Sequence, residues 1–100
     1  MKFYHATTEE NALKIVRDGK IKMSAEGAVF VCKNPLDACK FLVIRGIEKI
    51  IVFEVDLDEK RIVESTDHSE DFFQCKAYMY NGEIEIKDET PKWEYNFPNK

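Results

Sequence analysis

Apolar and polar positions change period several times along the chain, and each change marks an element. Lys2 to Ala6 (KFYHA) is an aromatic-rich run with the preferences of a short strand. Thr7-Thr8-Glu9-Glu10 reads as a capping box, in which the Thr7 hydroxyl closes a helix start and Glu10 reaches back. Ala12, Leu13, Val16 and Ile15 then recur at helical spacing, and Gly19 is placed to end that helix in the left-handed conformation. Ala28 to Lys33 (AVFVCK) reads as a second strand. Asn34-Pro35 opens a second helix: Asn is a good cap, and Pro at the first helical position lacks only an N–H that would go unused. Ala38, Phe41, Leu42 and Arg45 follow at helical spacing, up to Gly46.

The strongest strand pattern runs from Lys49 to Leu57. Ile51, Phe53, Val55 and Leu57 share one face, whereas Ile50 and Val52 share the other before Glu54 and Asp56 turn outward. Its first half is therefore expected to be buried on both sides. Arg61 to Glu64 predicts a shorter strand, Ser65 to Glu70 a polar loop containing His68, and Asp71 to Cys75 a helical turn. Tyr78 to Tyr80 and Glu83 to Lys87 are extended pieces around Asn81-Gly82, as either a hairpin or one bent strand. The tail from Asp88 carries Trp93, Tyr95 and Phe97 between prolines, and three aromatics predict docking on the domain or on a second copy. The pattern gives a single α+β domain: a twisted, mainly antiparallel sheet with two helices.

Composition narrows the setting. One hundred residues, 44% apolar and 34% charged, describe an ordinary globular domain. Apolar runs such as Ile50 to Phe53 are too short to span a bilayer, and no signal-peptide pattern opens the chain. Cys32, Cys39 and Cys75 are odd in number and lack metal-type spacing, so reduced thiols packed as small hydrophobes in the cytoplasm are expected, with no bound metal. Net charge is −4, with basic residues scattered among acids. Duplex nucleic acid needs a concentrated basic face and is not expected as the main partner. A mononucleotide in a small pocket is compatible with that charge.

Three segments in this order resemble the ADP-ribosyltransferase fold, which includes poly-ADP-ribose polymerases and RNA 2′-phosphotransferases. YHATTEENALKIVRDGKI is similar to the family's strand bearing His, a small residue and Thr, followed by a helix ending in Gly. GAVFVCKNPLDACKF resembles its Gly-x-Tyr-x-Thr strand running into a helix, and AYMYNGEIEI its late strand pair. The resemblance implies NAD or an NAD-derived nucleotide as ligand. It implies that His5 bonds a ribose hydroxyl, that Ala6 offers backbone groups where the family has Gly, and that Thr7 supports the ribose or caps its helix. Phe30 stands where the family has a Tyr that stacks on nicotinamide; stacking survives the change and the hydroxyl does not. Cys32 takes a Thr or Ser position.

The family's catalytic glutamate has no clear equivalent. Aligning Gly82 with the family's Gly puts Ala77 at that position, and Glu83 or Glu85 would have to turn into the cleft to replace it. Strand alternation puts those two on one face and Ile84 and Ile86 on the other, where the isoleucines are the natural core. For pyrophosphate, Lys14, Arg17, Lys33 and Arg45 are the candidates, although such residues are more often surface charges; no Gly-rich phosphate loop is present. Two functions follow from the resemblance. One is a domain that binds or sequesters an ADP-ribose-type nucleotide; the other is an enzyme that uses NAD to modify a protein or nucleic acid.

Overall fold

A computed structural model of the chain describes residues 1–23, 27–64, 77–87 and 89–98. In order come β1 (Lys2–Thr8), α1 (Glu9–Asp18), β2 (Lys20–Ile21), β3 (Val29–Val31), α2 (Pro35–Val43) and β4 (Lys49–Asp56). A 3-10 turn (Glu59–Arg61), β5 (Ile62–Glu64), β6 (Tyr78–Tyr80), β7 (Ile84–Glu85) and β8 (Lys92–Asn96) follow. Among the described residues every strand pairing is antiparallel, in three sheets ordered β1-β4-β8, β2-β7 and β3-β6-β5. Tyr4 and Cys32 exchange both backbone hydrogen bonds, at 2.8 and 2.9 Å, and so tie β1 to the end of β3. The two helices and antiparallel sheets make an α+β domain, and no helix among the described residues is long and apolar enough to cross a membrane.

β4 explains where the core lies. Ile50 and Val52 are fully buried on the face that carries Cys39 and Leu42 of α2, along with Tyr4, Ala6, Tyr95 and Phe97. Phe53, Val55 and Leu57 are buried on the opposite face with Ala12 and Ile15 of α1 and with Ile21, Val29, Val31 and Ile84. The sheet is thus covered on both sides, as the double apolar pattern of β4 required. Removing a buried methylene from such a site costs about 1 kcal/mol, before any cavity cost. Tail docking has a direct cause: β8 pairs with β4, from Lys92 opposite Phe53 to Asn96 opposite Lys49.

Several local expectations need correction. The cap of α1 is Thr8, whose hydroxyl accepts from the Asn11 N–H at 3.2 Å; β1 runs two residues further than expected, and Thr7 is buried opposite Ile51 in its ladder. Glu10 pairs with Lys14 at 3.8 Å. The helix rests on Ala12 and Ile15 and leaves Leu13 (69% exposed) and Val16 (47%) overhanging a shallow groove beside Ile51. Four apolar residues within five positions span more than one face of a helix, and only the ridge nearest the sheet is covered. Gly19 ends α1 as expected, with φ +71° and its N–H on the Ile15 carbonyl at 2.8 Å.

α2 starts at Asn34, whose side chain accepts from the Asp37 N–H at 2.8 Å, with Pro35 behind it. Its last helical residue is Val43, and Arg45 lies in the turn that closes at Gly46, φ +82°. Arg61 likewise belongs to the turn before β5 rather than to the strand. β6 and β7 do not pair with each other. β6 pairs with β3 and β7 with β2, as the two halves of one bent strand do. Ile84 is buried and Ile86 packs on the same core, whereas Glu83 and Glu85 are exposed, as strand alternation predicts. The expected His68 loop and the helical turn ending at Cys75 lie outside the described residues.

Candidate functional site: a cleft with an aromatic and a basic cavity

β1 and β3 meet at the Tyr4–Cys32 bridge, and that junction brings distant residues together. His5, on the strand beside the bridge, has its Nδ1 2.8 Å from the Phe30 carbonyl oxygen. A carbonyl can only accept, so Nδ1 carries the proton and Nε2 is the ring's acceptor. Burial holds the His5 pKa below the usual imidazole value, and the Phe30 carbonyl opposes this only in part. The ring is therefore neutral near pH 7.

Around this pair lies a cavity of about 320 Å³ lined by His5, Ala6, Phe30, Val31, Cys32, Ala38, Phe41, Leu42, Arg45 and Ala77. A second cavity, of about 660 Å³, shares His5, Ala6, Phe30, Leu42 and Arg45 with it and extends along α1 and β2. Shared walls make the two one cleft. The side chains lining the first cavity are aromatic and apolar apart from His5 and Arg45. The second is basic, since Lys14, Arg17, Lys20, Lys22 and Arg45 line it against one carboxylate, Asp18. In a chain of net charge −4 this is a local inversion of sign.

The cations differ in how they are held. Arg17 and Lys22 both reach Asp18, at 3.3 and 3.5 Å. Burial pushes the Asp18 carboxyl up, but the Arg17 hydrogen bond and the charges of Lys22 and Arg17 outweigh it and keep Asp18 below its usual range. Lys20 is held to Glu83 at 2.9 Å, and that hydrogen bond raises its pKa. These exposed pairs are worth little by themselves and exchange readily with a competing anion. Among the described residues, the Arg45 guanidinium makes no ion pair.

Of the residues picked from sequence, His5, Ala6, Phe30 and Cys32 line the aromatic cavity, and Thr7 lines the basic one. Lys14, Arg17 and Arg45 join them, whereas Lys33 lies over the Tyr78 ring, 5.2 Å from its centre, and lines neither cavity. Glu83 and Glu85 also line neither; Glu83 is bound to Lys20, and Glu85 stands opposite Lys20 across the β2–β7 pair. Ala77 is buried on the wall of the aromatic cavity.

Sequence reading passed over Lys20 and Lys22. Their signal was present: they flank Ile21, which points into the core, so strand alternation sends both lysines to the opposite side. Phe41 and Leu42 were read only as a helix stripe, yet they close the cavity from the α2 side. The two described thiols offer little chemistry. Cys32 and Cys39 are buried and unoxidised, and burial pushes the Cys39 thiol up to about 11, so it stays protonated. Among the described residues, no group of three or more His, Cys, Asp or Glu side chains is close enough to hold a metal ion. Compared with known proteins, the chain matches no family model, no curated protein and no solved structure.

Proposed function

We propose that this chain is an ADP-ribosyltransferase-like domain that binds or sequesters NAD or an ADP-ribose-type nucleotide, without transferring it. The observation that carries this reading is the cleft: an aromatic cavity holding His5 and Phe30 opens into a lobe of five cations. Each part of such a ligand has a counterpart. Phe30 offers a half-buried ring face for a base or nicotinamide, His5 Nε2 accepts from a ribose hydroxyl, and the basic lobe neutralises a pyrophosphate. The volume lies in the ordinary range for small-molecule sites, about 300–1,000 Å³.

The same geometry argues for binding over transfer. Breaking the bond to nicotinamide needs a carboxylate beside the ribose, where positive charge develops in the transition state. Ala77 stands on the aromatic wall, and Glu83 is engaged with Lys20 outside the cleft. Calorimetric titration with NAD and with ADP-ribose, paired with a nicotinamide-release assay, tests the reading. Expected are saturable binding, no release, and no loss of affinity in Glu83→Gln and Glu85→Gln. Sustained nicotinamide release that disappears in either variant would replace the binder by an enzyme. Absence of binding by either nucleotide removes the proposal.

A further inference from the structure

We infer that the outer edge of β8 is a self-association site, through which two copies of this chain join their sheets about a twofold axis at Trp93. The inference is independent of what the cleft binds. β8 closes the β1-β4-β8 sheet, and among the described residues no strand pairs with its far edge. The Glu54 N–H donates to the Pro91 carbonyl at 3.0 Å and the Phe97 N–H to the Glu48 carbonyl at 2.7 Å. Antiparallel ladders alternate, so Pro91, Trp93, Tyr95 and Phe97 direct their backbone groups at β4. Lys92, Glu94 and Asn96 direct theirs at the open edge.

That alternation restricts the ways in which two such edges can pair. Only registers that set an outward residue against an outward residue give a ladder. Centring on Lys92 opposes two lysines, and centring on Glu94 opposes two glutamates, both destabilising directly across a pair. A register setting Glu94 against Asn96 brings Lys92 opposite Pro98, which has no N–H to give. Centring on Trp93 instead sets Lys92 opposite Glu94 of the second copy, and Glu94 opposite Lys92 of the second copy. Both pairs then exchange backbone hydrogen bonds, and both bring opposite charges face to face.

The side chains agree with that register. Lys92 makes no ion pair among the described residues, and Glu94 shares Lys49 with Glu9, so Glu94 retains capacity for a second cation. Trp93 is 40% exposed, beside the Tyr4 ring at 5.8 Å between centres, and at the axis it meets its own copy in the close, non-hydrogen-bonded type of pair. Charged residues on an edge strand ordinarily discourage pairing. Here their order along the strand makes the edge complementary to itself, as a twofold interface requires.

Sedimentation velocity of the full chain over a concentration series tests this. A strand-edge contact is smaller than the roughly 1,200 Å² of stable interfaces, so a weak, concentration-dependent dimer is expected. Lys92→Glu turns both attractive pairs repulsive and is expected to weaken dimerisation about tenfold or more while circular dichroism stays unchanged. The double exchange Lys92→Glu with Glu94→Lys restores opposite signs and is expected to recover the dimer. Trp93→Ser, which removes the contact at the axis, is expected to weaken it independently of charge. A wild type that stays monomeric throughout, a Lys92→Glu variant that dimerises like wild type, or a folded double exchange that stays monomeric each overturns the inference.

Discussion

The aromatic cavity takes its walls from β1, β3 and α2, whereas the cations of the basic cavity come from α1, from β2 and its flank, and from the turn after α2. Strand residues on the first side are held by the ladder, by the Tyr4–Cys32 bridge and by the His5–Phe30 hydrogen bond. Four of the cations on the second side, Lys14, Arg17, Lys20 and Lys22, are long side chains in exchangeable ion pairs. Position is therefore fixed on one side and charge supplied on the other. A rigid wall suits recognition of rings and hydroxyls at defined distances, while mobile cations suit a pyrophosphate that needs charge more than geometry. Substitutions in the two halves should differ in size and in salt dependence.

The largest effect is expected from His5→Ala. It removes the proposed ribose acceptor and its hydrogen bond to the Phe30 carbonyl, so nucleotide affinity should fall by about 1–3 kcal/mol, roughly 5- to 150-fold. Thermal stability should change less, because the ring is only half-buried. Calorimetry on wild type and variant decides it, and equal affinities would remove His5 from the site.

Phe30 sharpens the same half. Phe30→Ala should cost about 1–2 kcal/mol of binding through lost stacking, and Phe30→Tyr should cost almost nothing. Its ring lies on a strand whose neighbours Val29 and Val31 carry the burial, so Phe30→Ala should still fold. An unfolded variant in circular dichroism would make Phe30 a core residue.

These two residues also show what was legible in the sequence. Helix starts and stops were readable where one residue decides them, as at Gly19 and Asn34, and β4 announced its double burial through its pattern. Thr7 and Thr8 could not be told apart, because either hydroxyl can cap and only the length of the β1 ladder chooses. Ile15 and Val16 differ only in which way the helix leans on the sheet, a tertiary matter. For the cleft, the β1 and β3 segments were found because each carries a local motif. Of the basic lobe, Lys14, Arg17 and Arg45 are candidates from sequence, whereas Lys20 and Lys22 join them through strand alternation rather than through a motif.

The basic half should respond more gently. Arg45→Gln is expected to lower affinity by about 0.5–1 kcal/mol, as exposed charge contacts do, and to flatten the dependence of affinity on ionic strength. Titration at low and high salt measures both. A salt dependence identical to wild type would place the anion away from Arg45 and leave the charge work to α1 and β2.

The smallest effect expected is on stability against pH, and it separates the halves once more. Burial lowers the folded-state pKa of His5 beneath its ordinary 6.5, despite the opposing Phe30 hydrogen bond. Below pH 6.5 the unfolded chain takes up a proton that the folded chain resists. Stability from this group is therefore complete above that value and declines as pH falls toward the lowered one. Unfolding of wild type and His5→Gln, followed from about pH 8 to about pH 5, isolates the contribution, because every other group is common to both. Wild type should lose stability faster than the variant below pH 6.5, with the curves parallel above it. A difference in slope between the two therefore belongs to His5 and the strand-built wall. Parallel curves throughout would mean that the imidazole is as well solvated folded as unfolded, and the neutral acceptor at Nε2 would lose its physical basis.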